Sequence, residues 1–246
     1  VPRINHESRD VMNQFNLDPN TNYVKVHGLQ RSGTNLMAYL IDYNFENTKA
    51  LVNIGGWKHG PYCAPWMLGQ EVHVVSVCKN PYSWLVSVYK YWSNNPVGPN
   101  LQGVSFDQFV RNRLIAEQAS GNPCLYRASN PVQYWNNMNC HWLTIRLNTK
   151  KSLFVPYEYL LIDPVLILKN MAKELGLNLK AEVELLNKVL EPGEETFKAG
   201  SEDWTKKDYY LKEEYLNEFT SELLEFVNTE LDVDVMSSLG YKPVFL

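Results

Sequence analysis

Residues Gly28 to Leu36 read GLQRSGTNL, after the short apolar run YVKVH and before the apolar-periodic LMAYLI. Strand, glycine loop and helix in that order form an anion cradle, in which backbone N–H groups and a helix N-terminus hold a phosphate. Gly28 and Gly33 have the G-x-x-x-x-G spacing of a nucleoside-triphosphate loop. Such a loop continues with Lys, which reaches the terminal phosphates, and with Ser or Thr, which binds Mg²⁺. Here the next two residues are Thr34 and Asn35. The positive charge stands upstream instead, at Arg31, and Asn35 is a poor substitute for the magnesium hydroxyl. Two glycines after a strand can also make a plain turn, but the flanking strand and helix patterns are both in place.

A second position agrees. The β-branched run VHVVSVC, Val72 to Cys78, is the clearest strand in the chain, and it ends in Lys79. A metal-dependent nucleotide enzyme often ends this strand in an Asp. Both departures disfavour a metal–triphosphate ligand. They favour an anionic nucleotide neutralised by protein cations alone. A P-loop nucleotide or small-molecule kinase is the rival reading, and it lacks a magnesium ligand at both positions.

These residues need a scaffold. Residues 23–28 read as a first strand and about 33–47 as a helix. Asn80-Pro81 stops the second strand, and Pro81 suits the first turn of a helix, where Trp84, Leu85, Val88 and Tyr91 recur at helical spacing. Ser105 starts another helix, with Gln108 as its capping-box partner. Residues about 130–147 are helical and aromatic-rich, and Ser152 to Val155 is a third strand stopped by Pro156. Helices follow at about 163–175, closed by Gly176, at 180–190 and at 212–231. Residues 1–20 form a polar surface lead-in, and Glu191 to Trp204 is the most loop-like stretch. Strands alternating with helices predict a parallel sheet covered on both faces. The expectation is one domain over 1–246, a three-layer α/β/α sandwich with four to five parallel strands, P-loop nucleotide-kinase-like.

Composition narrows the partners. At 246 residues the chain suits one sizeable α/β domain. Its net charge of −4 argues against general nucleic-acid binding, which favours a basic excess. Cys63, Cys78, Cys124 and Cys140 have neither C-x-x-C nor zinc spacing, so free thiols in a reducing, cytoplasmic setting are expected. No run of eighteen apolar residues signals a membrane span. Trp57, Tyr62, Trp66, Tyr89, Trp92, Tyr126, Tyr134, Trp135 and Trp142 offer aromatic surface, of which about a third is expected to line a cleft and the rest to fill the core.

Five segments carry a family resemblance. Gln30-Arg31-Ser32-Gly33-Thr34-Asn35 resembles the 5′-phosphosulfate loop of sulfotransferases that use 3′-phosphoadenosine 5′-phosphosulfate (PAPS), with Arg31 at the lysine position. Lys79-Asn80-Pro81, with Ser87 eight residues after Lys79, resembles that family's 3′-phosphate site. Trp57-Lys58-His59-Gly60-Pro61 is similar to the segment with its catalytic histidine, and Phe154-Val155-Pro156-Tyr157-Glu158 to the strand-plus-tyrosine segment near the adenine. Phe197-Lys198-Ala199-Gly200, then Asp203-Trp204, is similar to the C-terminal loop that closes on the nucleotide. All five come in family order. Lys79 departs from the family's arginine and loses its bidentate fork, and Ala199 replaces a basic residue.

The resemblance implies sulfuryl transfer from PAPS, with 3′,5′-adenosine bisphosphate as product and no metal. Positioning and charge stabilisation would carry most of the rate, by analogy with phosphoryl transfer. Arg31, with the N–H groups of Ser32, Gly33, Thr34 and Asn35, would stabilise charge on the leaving phosphate. His59, in a Gly- and Pro-flanked segment, would be the general base for the acceptor, and Lys58 would touch the transferring group or the acceptor. Lys79 and Ser87 would hold the 3′-phosphate, Tyr157 the adenine, and Lys198 and Gly200 would complete the nucleotide site. The acceptor would be a phenol, an alcohol, a sugar, an amine or a protein tyrosine. Each residue also has a plainer reading: His59 as a packing histidine, Lys58 as a solvated lysine, Ser87 as an ordinary helix serine, Tyr157 as core. His73, His141 and His6 take that plainer reading, His27 adjoins the loop, and Glu46 is a remote alternative base. A binding protein that keeps the pocket but has lost turnover is the other rival.

Overall fold

The computed structural model describes residues 17–18, 20–51, 58–60, 72–94, 101–112, 128–146, 151–185 and 207–245. Four strands, β1 (Asn22–His27), β2 (Thr48–Leu51), β3 (His73–Cys78) and β4 (Ser152–Pro156), form one sheet in the order β2-β1-β3-β4. All three pairings are parallel, with Val24 opposite His73 and Val74 opposite Ser152. The strands are short apolar runs, and β3 is buried along its whole length, as expected for a parallel strand covered on both faces.

Alternation along β1 sorts the two faces. Val24 and Val26, with Val75, Val77 and Val155, pack against helices α1 (Thr34–Asn44), α5 (Tyr157–Ile162) and α6 (Pro164–Leu175). Tyr23 and Cys78 belong to the opposite core, shared with α2 (Pro81–Ser93), α3 (Phe106–Arg111), α4 (Pro131–Arg146), a 3₁₀ turn (Glu214–Glu218), α8 (Ser221–Glu230) and α9 (Val233–Ser238). The short helix α7 (Lys207–Leu211) buries none of its residues. The result is the expected three-layer α/β/α sandwich around a parallel sheet, here of four strands.

Local signals explain most boundaries. The Asn80 side chain accepts from the N–H groups of Tyr82 and Ser83, with Pro81 in the first turn of α2. The Ser105–Gln108 capping box opens α3. Gly176, in the left-handed region at φ 68°, closes α6, a conformation that glycine takes without a Cβ clash.

Four expectations change. The edge strand β2, sequence TKAL, has too little β-branched character to stand out; the Asp42 carboxylate of α1 anchors it by accepting from the Ala50 N–H at 2.7 Å. Helix α1 ends at Asn44, because Phe45 is extended and Asn47 is left-handed. The helix expected over 180–190 is not helical through its described part, 180–185. There the buried Asn44 amide takes over the backbone groups, donating to the Glu184 carbonyl at 2.9 Å and accepting from its N–H at 2.6 Å. The helix expected over 212–231 is two pieces, a 3₁₀ turn and α8. They are separated by buried Phe219 and by Thr220, whose hydroxyl caps the Leu223 N–H at 3.1 Å.

Candidate active site

The chain leaves β1 toward β2 on one side, while β3 lies on the other. In an open parallel sheet, the crevice at the strand C-termini beside such a reversal is where ligands bind. The Gly28–Gly33 loop follows β1 at this point, and Lys79 follows β3.

Two glycines shape the loop by allowing close approach. A Cβ on Gly28 would lie 2.4 Å from the Val77 carbonyl oxygen, and one on Gly33 2.5 Å from the Tyr157 ring. Gly33 is also the N-cap of α1, at φ 90°. Arg31 has φ 66°, a strain that non-glycine residues seldom carry outside functional loops. Its exposed guanidinium lies 5.0 Å over the Tyr91 ring. Ser32 is buried and donates from its hydroxyl to the Leu29 carbonyl at 2.6 Å. Gln30 is gripped by two tryptophans: the Trp84 indole donates to its carbonyl at 2.9 Å, and the Trp92 indole to its side-chain oxygen at 2.8 Å. The loop is thereby fixed before any ligand arrives.

Residues 58–60 cross directly over this loop. The Gly28 N–H donates to the Lys58 carbonyl at 3.1 Å. In return, Nδ1 of His59 lies 2.7 Å from the Gly28 carbonyl. A carbonyl only accepts, so Nδ1 carries the proton and Nε2 the lone pair. Burial, reinforced by the charges of Lys58, Lys25 and Arg31 against the pull of the Gly28 bond, lowers the His59 imidazole to about 3. The ring is therefore neutral at physiological pH. Lys58 donates from Nζ to the side-chain oxygen of Asn35. An ammonium thus reaches the first turn of α1 from a different loop, at the residue where a triphosphate site would place its metal ligand. Desolvation lowers the Lys58 ammonium. Lys25, fully buried on β1, is brought down to about 7 by burial and then by the Lys58 charge.

The end of β3 is equally fixed. The Trp135 indole donates to the Lys79 carbonyl at 3.0 Å, and the Asn80 N–H donates to the Glu158 carboxylate at 3.0 Å. Tyr241 donates to the other Glu158 oxygen at 2.8 Å. The Lys79 side chain is only 2% exposed. Its Nζ donates to the Arg31 carbonyl at 3.4 Å and to the Tyr210 hydroxyl at 3.1 Å, and it faces the rings of Tyr157 and Tyr210 at 4.9 and 4.2 Å. Ser87 of α2 lies near enough to Tyr210 to lower its phenol. Burial pushes the Tyr210 phenol up, but the Lys79 charge, the bond from Lys79, the nearby Ser87 and the Arg31 charge together bring it below the ordinary tyrosine value. Desolvation, and to a lesser degree Arg31, lowers the Lys79 ammonium.

Contacts link several of the expected site residues: Lys58 to Asn35, His59 to Gly28, Lys79 to Arg31, and Tyr157 to both Gly33 and Lys79. Lys198 and Gly200 lie outside the described residues, as do His6, Trp57, Tyr62, Trp66 and Tyr126. Of the other histidines, His27 is buried and stacked on Trp142 at 6.2 Å, and His73 is buried at the start of β3. Glu46 lies beyond the end of α1. Among the expected cleft aromatics, Trp92, Trp135 and Trp142 are core, Tyr89 is tied to the Val104 carbonyl at 2.7 Å, and Tyr134 packs on Trp84. Gln30 and Glu158 stood in the quoted motifs without a role of their own, and Lys25 and Tyr210 were not expected at the site. Only Lys25, a charge inside an apolar strand, left a readable signal. Among the described residues, no group of three or more His, Cys, Asp or Glu is placed to hold a metal, and no helix is long and apolar enough to cross a membrane.

Residues 59–225 match the family described as the sulfotransferase domain. The chain belongs to that family. The match begins at His59, so the Gly28–Asn35 loop of this sulfotransferase lies ahead of the matched segment. No curated protein matches the chain. Among solved structures, it is similar to the crystal structure of the mouse sulfotransferase SULT7A1 complexed with PAP, with 14% identity, 91% of this chain and 92% of that chain covered, and a TM-score of 0.45.

Proposed function

We propose that this sulfotransferase domain transfers a sulfuryl group from PAPS to a hydroxyl or amine of an acceptor, without a metal, releasing 3′,5′-adenosine bisphosphate. The observation that carries the reading is the reciprocal pairing of Gly28 with Lys58 and His59. It fastens a neutral imidazole to the first residue of a phosphate loop.

The chain fits an anionic nucleotide. Gly28 and Gly33 let the loop backbone pack tightly against Val77 and Tyr157, and the loop runs into the N-terminus of α1, where an anion is favoured. Lys25, Lys58 and Lys79 are all lowered first by desolvation, and Lys25, Lys79 and His59 feel further neighbouring cations, a concentration of positive charge in a chain of net charge −4. Such repulsion is relieved by a bound anion. Cations stand at both positions where a triphosphate enzyme would hold its metal, with Lys58 on Asn35 and Lys79 after β3. This favours the PAPS reading over the kinase reading.

Bound PAPS supplies an activated sulfuryl group on a phosphate leaving group. His59 accepts the acceptor's proton at Nε2, while its Nδ1–H bond to Gly28 keeps the ring from rotating. Arg31 and the N–H groups of Ser32 to Asn35 stabilise charge on the leaving phosphate. Lys58 neutralises charge on the transferring group, its Nζ positioned by Asn35. Lys79 and Ser87 bind the 3′-phosphate, and Tyr157, packed against Gly33, lies beside the adenine. Lys198 and Gly200 complete the nucleotide site. A cytoplasmic setting suits the four unpatterned cysteines.

Metal-free calorimetric titration with 3′,5′-adenosine bisphosphate beside 5′-AMP tests the donor class. Micromolar binding that requires the 3′-phosphate is expected. Protection by Mg-ATP with none by the bisphosphate would replace this reading with the kinase.

A further inference from the structure

We propose that Tyr210 competes with the nucleotide 3′-phosphate for Lys79, so that donor affinity is set by the exchange of a phenol oxygen for a phosphate oxygen. The proposal rests on the reading that Lys79 belongs to the 3′-phosphate subsite.

The strand-end ammonium of Lys79 donates to the Tyr210 hydroxyl at 3.1 Å. An oxygen that receives this donor does what a phosphate oxygen would do there. The ring adds a second obstruction. Lys79 is enclosed between the Tyr157 and Tyr210 rings, which stand edge to face at 5.4 Å, and with 2% exposure its Nζ is out of reach of a ligand while Tyr210 stays in place. Lysine has three N–H donors. One is directed at the Arg31 carbonyl and one at the phenol, so the phenol occupies one of the two donors left for a phosphate.

The displaced element is small. Helix α7 is five residues long and buries none of them. Tyr210 is held by the Lys79 bond, by ring contacts with Tyr157 and Tyr209 and by packing at the edge of both cores. An ammonium–phosphate bond is charge-assisted and stronger than an ammonium–phenol bond. The exchange therefore runs toward the ligand, while part of the binding free energy goes into releasing the tyrosine. A ligand without a 3′-phosphate has no reason to displace it. Tyr210 thus lowers affinity for the bisphosphate and leaves that of 5′-AMP almost untouched.

The test is calorimetric titration of wild type and Tyr210→Phe with 3′,5′-adenosine bisphosphate and with 5′-AMP. Phe keeps the ring and removes the competing oxygen. Roughly tenfold tighter binding of the bisphosphate is expected, the scale of one hydrogen bond to a charged group, with 5′-AMP changed less than about twofold. Lys79→Met in the Tyr210→Phe background should erase the gain. Thermal melting of the unliganded variants verifies the fold. Bisphosphate binding that is selective in wild type but weaker in Tyr210→Phe would make the tyrosine a phosphate ligand and overturn the proposal alone. Unchanged binding would overturn it as well. Failure of both proteins to distinguish the bisphosphate from 5′-AMP would remove the subsite reading together with the proposal. Selective binding gained only in Tyr210→Phe would support both.

Discussion

The Nδ1 atom of His59 lies 2.7 Å from the carbonyl oxygen of Gly28, and the N–H of that same glycine bonds the Lys58 carbonyl at 3.1 Å. Two hydrogen bonds thus join the candidate base to the phosphate loop through one residue. Any shift of the loop therefore carries the imidazole with it.

His59→Ala should lower kcat by about 10²–10⁴-fold, the usual contribution of a general base, and leave the dissociation constant of 3′,5′-adenosine bisphosphate unchanged. Turnover with a phenolic acceptor alongside calorimetry checks this. Full turnover would remove His59 from its role.

The pH profile carries a sign. With its proton affinity lowered from 6.5 to about 3, His59 stays an acceptor in acid. No acid limb near pH 6.5 should arise from this residue in kcat/KM. An inflection at 6.5 that disappears in His59→Ala would contradict the geometry.

Folding stability should respond oppositely to acid. His59, His73 and His27 are all lowered by burial, so between pH 6.5 and their folded values the unfolded chain binds more protons and stability falls as pH falls. Taking urea melts from pH 7.5 to 5.5 should cost on the order of 1 kcal/mol per histidine. A midpoint that rises on acidification would refute this.

Lys79→Ala should weaken the bisphosphate by about 10–100-fold, the scale of a hydrogen bond to a charged group, with little effect on 5′-AMP. Ser87→Ala should act in the same direction and less strongly. Equal losses for both ligands would place Lys79 outside the 3′-phosphate subsite.

Gly33→Ala should destabilise the protein by about 1–3 kcal/mol, because φ 90° disfavours a Cβ and that Cβ would meet the Tyr157 ring. Tyr157→Ala in the same chain should recover the steric part and leave the backbone part. Thermal melts of the two variants and the double variant separate these contributions. Additive losses would show that the ring contact is unimportant.

Much of this was legible in the sequence because it is local. The loop, α1, the Pro81 and Ser105 helix starts, β3 and β4 follow from neighbouring residues. The rest depends on residues far apart along the chain. Asn44 overrides the helix expected after Lys180 by bonding the Glu184 backbone. Tyr210 enters the site from over 120 positions beyond Lys79. The edge strand β2 is defined by its pairing with β1 and by Asp42, not by its own four residues.

The reversal of direction beside β1 also bears on how the chain acquires its competence. β1 pairs with a strand about 50 positions downstream, and β3 with one about 80 positions beyond that. Parallel pairings of such high contact order form slowly, because chain closure precedes the reward. The crevice therefore exists only once the whole sheet has zipped, and no early fragment can recognise a nucleotide. A bound nucleotide stabilises only the completed sheet, so occupancy acts as a latch on the entire tertiary structure, and ligand-dependent resistance to proteolysis should extend to β4 as fully as to the loop itself.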